Sequence, residues 1–187
     1  MTLKASVLRP PSNVERTVGL LQEEIFSRSG LVSSLVLPVC MPICWHPESV
    51  SGSDFRSALE GCEHRFTLMS AGLQVHSDTL FFKLDLDAGG DCTLSKLKKK
   101  LIALNTSAAE TLFPIFNGFF LAQSTADVRV GRIAGFLSEP KPLRFSAFTY
   151  ALLHLSVSDP PDPWYEEVYW KFENQTRVKK KPASNDH

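Results

Sequence analysis

Two β-rich runs, Tyr150-Ala151-Leu152-Leu153-His154-Leu155-Ser156-Val157-Ser158 and Trp164-Tyr165-Glu166-Glu167-Val168-Tyr169-Trp170-Lys171-Phe172, flank the stop Asp159-Pro160-Pro161-Asp162-Pro163. Pro fixes φ and lacks an N–H, and Asp bonds its own backbone, so no regular element passes through that stop and the two runs are expected to pair antiparallel across it. On the first run Tyr150, Leu152, His154, Ser156 and Ser158 share one face, and Ala151, Leu153, Leu155 and Val157 share the other. A His-x-Ser pair on one strand face either aims an imidazole and a hydroxyl into a cleft or forms the solvent side of a sheet. His154 and Ser156 are therefore the candidates for catalytic groups, and both readings stand at this level.

The 187 residues suffice for one sizeable core or two small lobes sharing a sheet system. Twenty acidic and twenty basic residues cancel, so no global field argues for nucleic acid or membrane, and only a local positive groove remains open. Cys40, Cys44, Cys62 and Cys92 are irregularly spread, and Met1 to Ser6 lacks the apolar core of a signal peptide. Reduced thiols and a cytoplasmic location are expected. The longest apolar run, Leu35 to Trp45, is interrupted by Pro38 and Pro42 and falls far short of a bilayer span, so no membrane helix is expected.

In chain order, Pro10-Pro11 precedes Ser12-Asn13-Val14-Glu15, which has the form of a capping box, and Val14, Val18, Leu21 and Ile25 then follow helical spacing to a stop at Gly30. Leu31 to Val39 reads as a strand buried on both faces, and the Pro-rich continuation to Pro47 as an edge or loop. A short helix over Asp54–Glu60, a strand over Glu63–Ser70 and a turn at Ala71-Gly72 lead to the alternating strand Thr79–Leu86. After a loop at Asp87–Asp91, Leu94, Leu97, Leu101 and Leu104 mark an amphipathic helix with Lys98, Lys99 and Lys100 outside. Phe113–Gln123 is a bulky strand, Ser124-Thr125-Ala126-Asp127 a second capping box opening a helix to Leu137, and Asn174–His187 a basic tail expected to be disordered. Antiparallel hairpins interleaved with helices predict an α+β fold: a single domain over residues 1–173, its sheets covered on the outer faces by helices.

Several features coincide in one pattern: the closing strand pair ending in Trp164–Trp170; the order strand Ile115–Gln123, helix Asp127–Leu137, Pro-containing link, strand; and Phe66-Thr67-Leu68 followed by Gly72-Leu73-Gln74-Val75 and the strand Leu80–Leu86. This layout, from Leu31 to Phe172, resembles the 2H phosphoesterase superfamily, which includes 2′-5′ RNA ligase-like and cyclic phosphodiesterase proteins. The resemblance implies two pseudo-symmetric lobes, each giving a His-x-Thr or His-x-Ser to a central cleft, where two imidazoles serve as acid and base on a phosphodiester and the hydroxyls hold its oxygens. By segment order the first motif falls near Val39–Cys44 and the second near Phe116–Leu121, where this chain reads Cys40-Met41-Pro42 and Asn117-Gly118-Phe119. Neither Cys nor Asn replaces an imidazole near neutral pH. The resemblance thus implies a degenerate relative of enzymes that hydrolyse RNA or cyclic-nucleotide phosphodiesters, with Cys40, Asn117 and Phe119 as ligand-contacting candidates and RNA or a nucleotide as partner.

Other patterns are weighed beside it. Cys40-x-x-x-Cys44-x-His46 offers soft ligands, but a fourth is not evident nearby, and neither metal nor cofactor is expected. His76-Ser77-Asp78 reads as a turn. Gly89-Gly90 lacks the Lys-Ser or Lys-Thr of a phosphate loop, and no Gly-x-Ser-x-Gly is present. Lys98–Lys100 and Lys179–Lys181 read as solvated faces or as contacts to RNA phosphates. The rival to a phosphodiesterase relative is a non-enzymatic module that meets a protein through Trp164, Tyr169, Trp170 and the Pro38–Pro47 edge, or binds single-stranded RNA by stacking and lysines. A monomer is expected in either case.

Overall fold

A computed structural model describes residues 2–62, 65–105, 109, 111, 114–124, 130–137, 140–146, 148–157 and 168–178. The elements in order are β1 (Thr2–Arg9), α1 (Ser12–Ser29), α2 (Ser33–Val36), β2 (Met41–His46), α3 (Gly52–Leu59), β3 (Leu68–His76), β4 (Thr79–Leu86), α4 (Ala88–Ala103), β5 (Gly118–Gln123), α5 (Val130–Phe136), β6 (Arg144–Phe145), β7 (Thr149–Val157) and β8 (Val168–Arg177). They form two four-stranded sheets of order β2-β1-β7-β8 and β5-β4-β3-β6, with every pairing antiparallel. The fold is α+β, as the interleaved pattern predicts. No described helix is long and apolar enough to cross a membrane.

The architecture is a doubled one. β1-α1-β2 and β4-α4-β5 are the same strand–helix–strand unit, each closing on its own first strand, and each places its second strand at the edge of its sheet. α4 runs against both β4 and β2, while α1 runs against β5, so each unit's helix also touches the other unit's edge strand. The buried stripes Val14, Val18, Leu21, Ile25 of α1 and Leu94, Leu97, Leu101 of α4 share one core with Leu8, Met41, Tyr150 and Leu152 of the first sheet and Leu80, Phe82, Leu84 and Phe119 of the second. These are the i, i+3, i+4, i+7 positions that a helix presents to a sheet. The opposite face of the first sheet (Leu3, Ala5, Val7, Ala151, Leu153, Leu155) forms a second cluster with Trp45, Cys40, Leu37 and Phe120 of β5.

Several local readings change. β1 is a full central strand that the sequence reading passes over, because Lys4 and Ser6 interrupt its apolar run on one face. The predicted strand Leu31–Val39 holds the helical turn α2 instead, and Ser33 fastens that turn to β5 by donating to Gln123 O (2.9 Å) and accepting from Gln123 N (3.1 Å). α1 has Pro11 at its N-cap with no side-chain cap, and Glu15 bonds Arg9 at 3.5 Å rather than closing a box with Ser12. The capping box that does form is Ser51–Asp54 at α3. Ala71-Gly72 is not a chain reversal but a bulge within β3, with Gly72 at φ 87°, and the reversal comes at Ser77-Asp78. Asp87 is the cap of α4, accepting from Gly90 N at 2.7 Å, so the helix begins inside the predicted loop. β8 extends to Arg177, and Val178 is buried. The expected box at Ser124–Asp127 and the stop at Asp159–Pro163 lie outside the described residues, apart from Ser124 itself.

Phe119, with no exposed surface, stacks on Phe145 at 6.1 Å within the helix-side core. Phe119→Ala is expected to cost about 3–5 kcal/mol in urea denaturation, and Ile102→Ala on the exposed face of α4 to stay within about 0.5 kcal/mol.

Candidate functional site

The seam between β2 and β5 is where the two units meet, and their registers can be compared through one shared irregularity. In the β1–β2 pair, Val7 faces Pro42 and Ser6 faces Cys44, leaving Ile43 as an extra residue. In the β4–β5 pair, Phe81 faces Phe120 and Leu80 faces Ala122, leaving Leu121 as the extra residue. A bulge inserts one residue and re-aims the strand, so equivalent bulges fix equivalent positions. Superposed on them, Cys40-Met41-Pro42 corresponds to Gly118-Phe119-Phe120. The second triplet therefore sits one residue beyond Asn117-Gly118-Phe119, the one reached by segment order.

At each of these triplets the first and third residues share the strand face that looks into the seam. They are Cys40 and Pro42 on one side, Gly118 and Phe120 on the other. Cys40 is buried, and burial pushes its thiol up to about 12, so it is protonated throughout the neutral range. Pro42 brings no donor. A Cβ at position 118 would lie 2.6 Å from Phe82 O and 2.8 Å from the Phe81 ring, so the backbone there approaches its neighbour strand closer than any side chain allows. Phe120 is buried among Leu37, Cys40 and Trp45, and Phe116 packs against this group while stacking on Phe81 at 4.2 Å. Gln22 of α1 reaches the same place, donating to Phe120 O at 3.2 Å.

The remaining residues singled out in the sequence lie elsewhere. Phe119 points into the helix-side core, as above. The Asn117 side chain turns toward α4, where Oδ1 accepts from Lys98 at 3.5 Å. Cys40 alone of these three faces the seam. His154 and Ser156 occupy the face of β7 opposite the second cluster; His154 Nε2 lies 3.0 Å from Glu173, which also pairs with Lys171 at 2.6 Å. A shallow pocket of about 320 Å³ joins His154 and Ser156 with Thr2, Tyr169, Trp170 and Lys171. Burial lowers the His154 pKa, with the Glu173 carboxylate opposing it, so the half-buried imidazole is shifted toward its neutral form.

His46 is the imidazole nearest the seam strands, and the sequence reading treats it only as a metal-ligand candidate. Across β1–β2 it is on the helix side with Cys44, while Cys40 is on the other face. Among the described residues no three His, Cys, Asp or Glu side chains converge as a metal site. Asn105 Nδ2 donates to Trp45 O at 2.9 Å, which turns its Oδ1 to His46 Nδ1 at 2.8 Å. Nδ1 therefore carries the proton, and Nε2 accepts from Ser6 Oγ–H at 2.6 Å. This hydroxyl–imidazole–amide chain has the connectivity of a nucleophile, base and orienter. Ser6 and His46 are nonetheless fully buried, which leaves no room for a substrate. The chain joins β1, β2 and the end of α4 as a satisfied polar bridge.

Comparison with solved structures places the fold. The chain has a TM-score of 0.61 and 12% identity to TT0787 of Thermus thermophilus, covering 96% of this chain and 99% of that one. It has a TM-score of 0.61 and 10% identity to E. coli LigT complexed with 3′-AMP, covering 95% and 98%. A protein described as a phosphoesterase follows at 0.56 and 10% identity, covering 95% and 99%. The chain shares the fold of these proteins over nearly its whole length. No protein-family model matches it, and no curated protein sequence does.

Two outcomes test the buried bridge. Asn105→Ala strands the His46 N–H and is expected to cost about 1–3 kcal/mol of stability by denaturant melting. Burial lowers the His46 pKa from 6.5, so the unfolded chain takes up a proton that the folded chain refuses. Stability is then full above about pH 6.5 and falls below it with a slope of at most about 1.4 kcal/mol per pH unit per histidine. His154 acts in the same sense. Urea midpoints against pH for the wild type and His154→Gln should both decline below that pH, with a shallower decline in the variant.

Proposed function

We propose that this chain is a 2H phosphoesterase-like protein, a relative of enzymes that hydrolyse RNA or cyclic-nucleotide phosphodiesters, which has given up two-imidazole catalysis and acts by binding. The fold shared with LigT and the phosphoesterase supports the kinship. The observation that carries the loss is the occupancy of the seam: Cys40, Pro42, Gly118 and Phe120 stand at the two equivalent triplets. Acid–base cleavage of a phosphodiester needs two groups that exchange protons near neutral pH within reach of one phosphate. A thiol at about 12, a proline ring, a bare backbone and a phenyl ring supply none.

The absence of a side chain at position 118 makes the loss deeper than a point change, since a histidine there meets backbone rather than a flexible neighbour. His46 is committed to Ser6 and Asn105, and His154 lies on the other face of the sheet. In this reading Cys40 fills the place of a first imidazole without its chemistry, and Asn117 and Phe119 support the second strand from behind. The protein works as a soluble cytoplasmic monomer with a nucleotide or an RNA end as ligand, in keeping with the 3′-AMP held by E. coli LigT.

A second reading is favoured by one surface. Tyr169 and Trp170 are 67% and 45% exposed on β8, the free edge of its sheet, where aromatic side chains suit a protein partner. Trp164 lies outside the described residues, and the Pro38–Pro47 segment is largely buried rather than displayed.

Incubation with 2′,3′-cyclic nucleotides is expected to give no product above the uncatalysed background. Turnover that disappears in His154→Ala or His46→Ala would overturn the proposal and return an active enzyme with different residues.

A further inference from the structure

Where the C-terminal end of β1, the first turn of α1, the start of β7 and the end of β8 meet, a cavity of about 650 Å³ opens. None of its lining residues belongs to the seam triplets. It gathers three arginines from distant parts of the sequence, Arg9, Arg65 and Arg177, together with the hydroxyls of Ser12 and Thr149 and the amide of Gln175. Its one carboxylate is Glu15. Three guanidiniums against one carboxylate leave an excess of two positive charges in a chain whose formal net charge is zero.

The arginines differ in how they are held. Arg9 is pre-oriented: Nη1 donates to Gln175 Oε1 at 3.0 Å, Nη2 lies 3.5 Å from Glu15, and the guanidinium sits 4.2 Å over the Phe172 ring. Its Nε is buried without a hydrogen-bond partner. Arg65 and Arg177 stand exposed, and among the described residues neither has an acidic partner in ion-pair reach. α1 adds its own contribution, because its N-cap is Pro11, without a side-chain cap; Val14 N and Glu15 N both donate to Pro11 O at 2.9 Å, which leaves the N–H groups of Ser12 and Asn13 for a ligand at this end of the helix. Uncapped N–H groups beside a positive helix end favour an anion, and planar guanidiniums favour one whose oxygens accept paired hydrogen bonds.

We propose that this cavity is a binding site for the phosphate dianion of a small phosphomonoester. A phosphomonoester carries about two negative charges at neutral pH, which matches the excess. The volume is that of a site for a small organic ligand rather than for a bare ion, for which about 300–1,000 Å³ is usual. The site does not depend on the seam's chemistry: it stands whether or not the chain turns over a phosphodiester.

The test is titration of the full chain with AMP, inorganic phosphate and adenosine, followed by calorimetry and backbone NMR, alongside the Arg65→Ala/Arg177→Ala double variant. AMP is expected to bind at about 50 mM salt with Kd below about 1 mM, and more weakly at about 500 mM salt. Adenosine, which lacks the phosphate, should not bind. Shifts should fall on Ser12, Thr149 and Gln175, and the double variant should lose at least about tenfold in affinity with an unchanged melting curve. Arg9→Lys keeps the charge but loses the fork and should weaken AMP binding as well. The proposal is overturned if no phosphate-bearing probe binds at low salt, if adenosine binds as well as AMP, or if binding persists unchanged in the double variant with shifts on β2 and β5. Because the readout is binding, a negative result here leaves the question of turnover to its own assay.

Discussion

The contact between the edge strands β2 and β5 is the constraint on which the rest of the molecule depends. Each strand ends its sheet and would otherwise present unpaired backbone to solvent, a hazard that folded proteins cover or distort. Here each is covered by the helix of the opposite unit and pressed against the other through Cys40, Trp45, Leu37, Phe116 and Phe120. Gln22 and Ser33 then supply hydrogen bonds to the β5 carbonyls of Phe120 and Gln123. In the function proposed above, the same seam is where a pair of catalytic groups would stand. Filling it with apolar side chains binds the halves together.

The polar groups close to the seam have a structural use. Burying a hydroxyl, an imidazole and an amide without partners would cost several kcal/mol, so their mutual satisfaction is what makes the Ser6–His46–Asn105 chain tolerable in the interior. It also ties β1 to β2 on the His46 side of the bulge. The charged groups are displaced to the ends of the first sheet: Lys4 bonds the carbonyls of Glu48 and Val50 at one end, and Arg9 lies over Phe172 at the other. The chain thus keeps a dry centre and puts its charges at the rim.

Much of the fold was legible because the periodicity was strong. Leu94, Leu97 and Leu101 could only be a helix face, and Leu80, Phe82 and Leu84 only one side of a strand. β1 was missed because Lys4 and Ser6 sit on an inward face, satisfied by partners that no local window reveals. Leu31–Val39 looked like a strand because β-branched and apolar residues are shared by strands and by short helical turns; only the long-range bond from Ser33 to β5 separates the two. At the site, Cys40-Met41-Pro42 was reached from segment order alone. Its counterpart needed the bulge at Leu121, which leaves no mark in a single sequence, and this is why Gly118 and Phe120 were not singled out as a pair. The arginine cavity was hidden for a similar reason: Arg9, Arg65 and Arg177 are far apart in the chain, and in a net-neutral composition nothing announces them.

The central claim, that the seam between β2 and β5 is closed around a buried, protonated Cys40, is tested most directly by alkylating the folded protein. Cys92 is exposed on α4, whereas Cys40 is buried with its thiol held up at about 12. Timed reaction with iodoacetamide at about pH 8.5, a value near the unperturbed thiol pKa, followed by peptide mass analysis reports each cysteine separately. The account predicts rapid labelling of Cys92 and none of Cys40 until denaturant is added. Labelling of Cys40 in the native protein at a rate comparable to Cys92 would show an open, solvated cleft and contradict it.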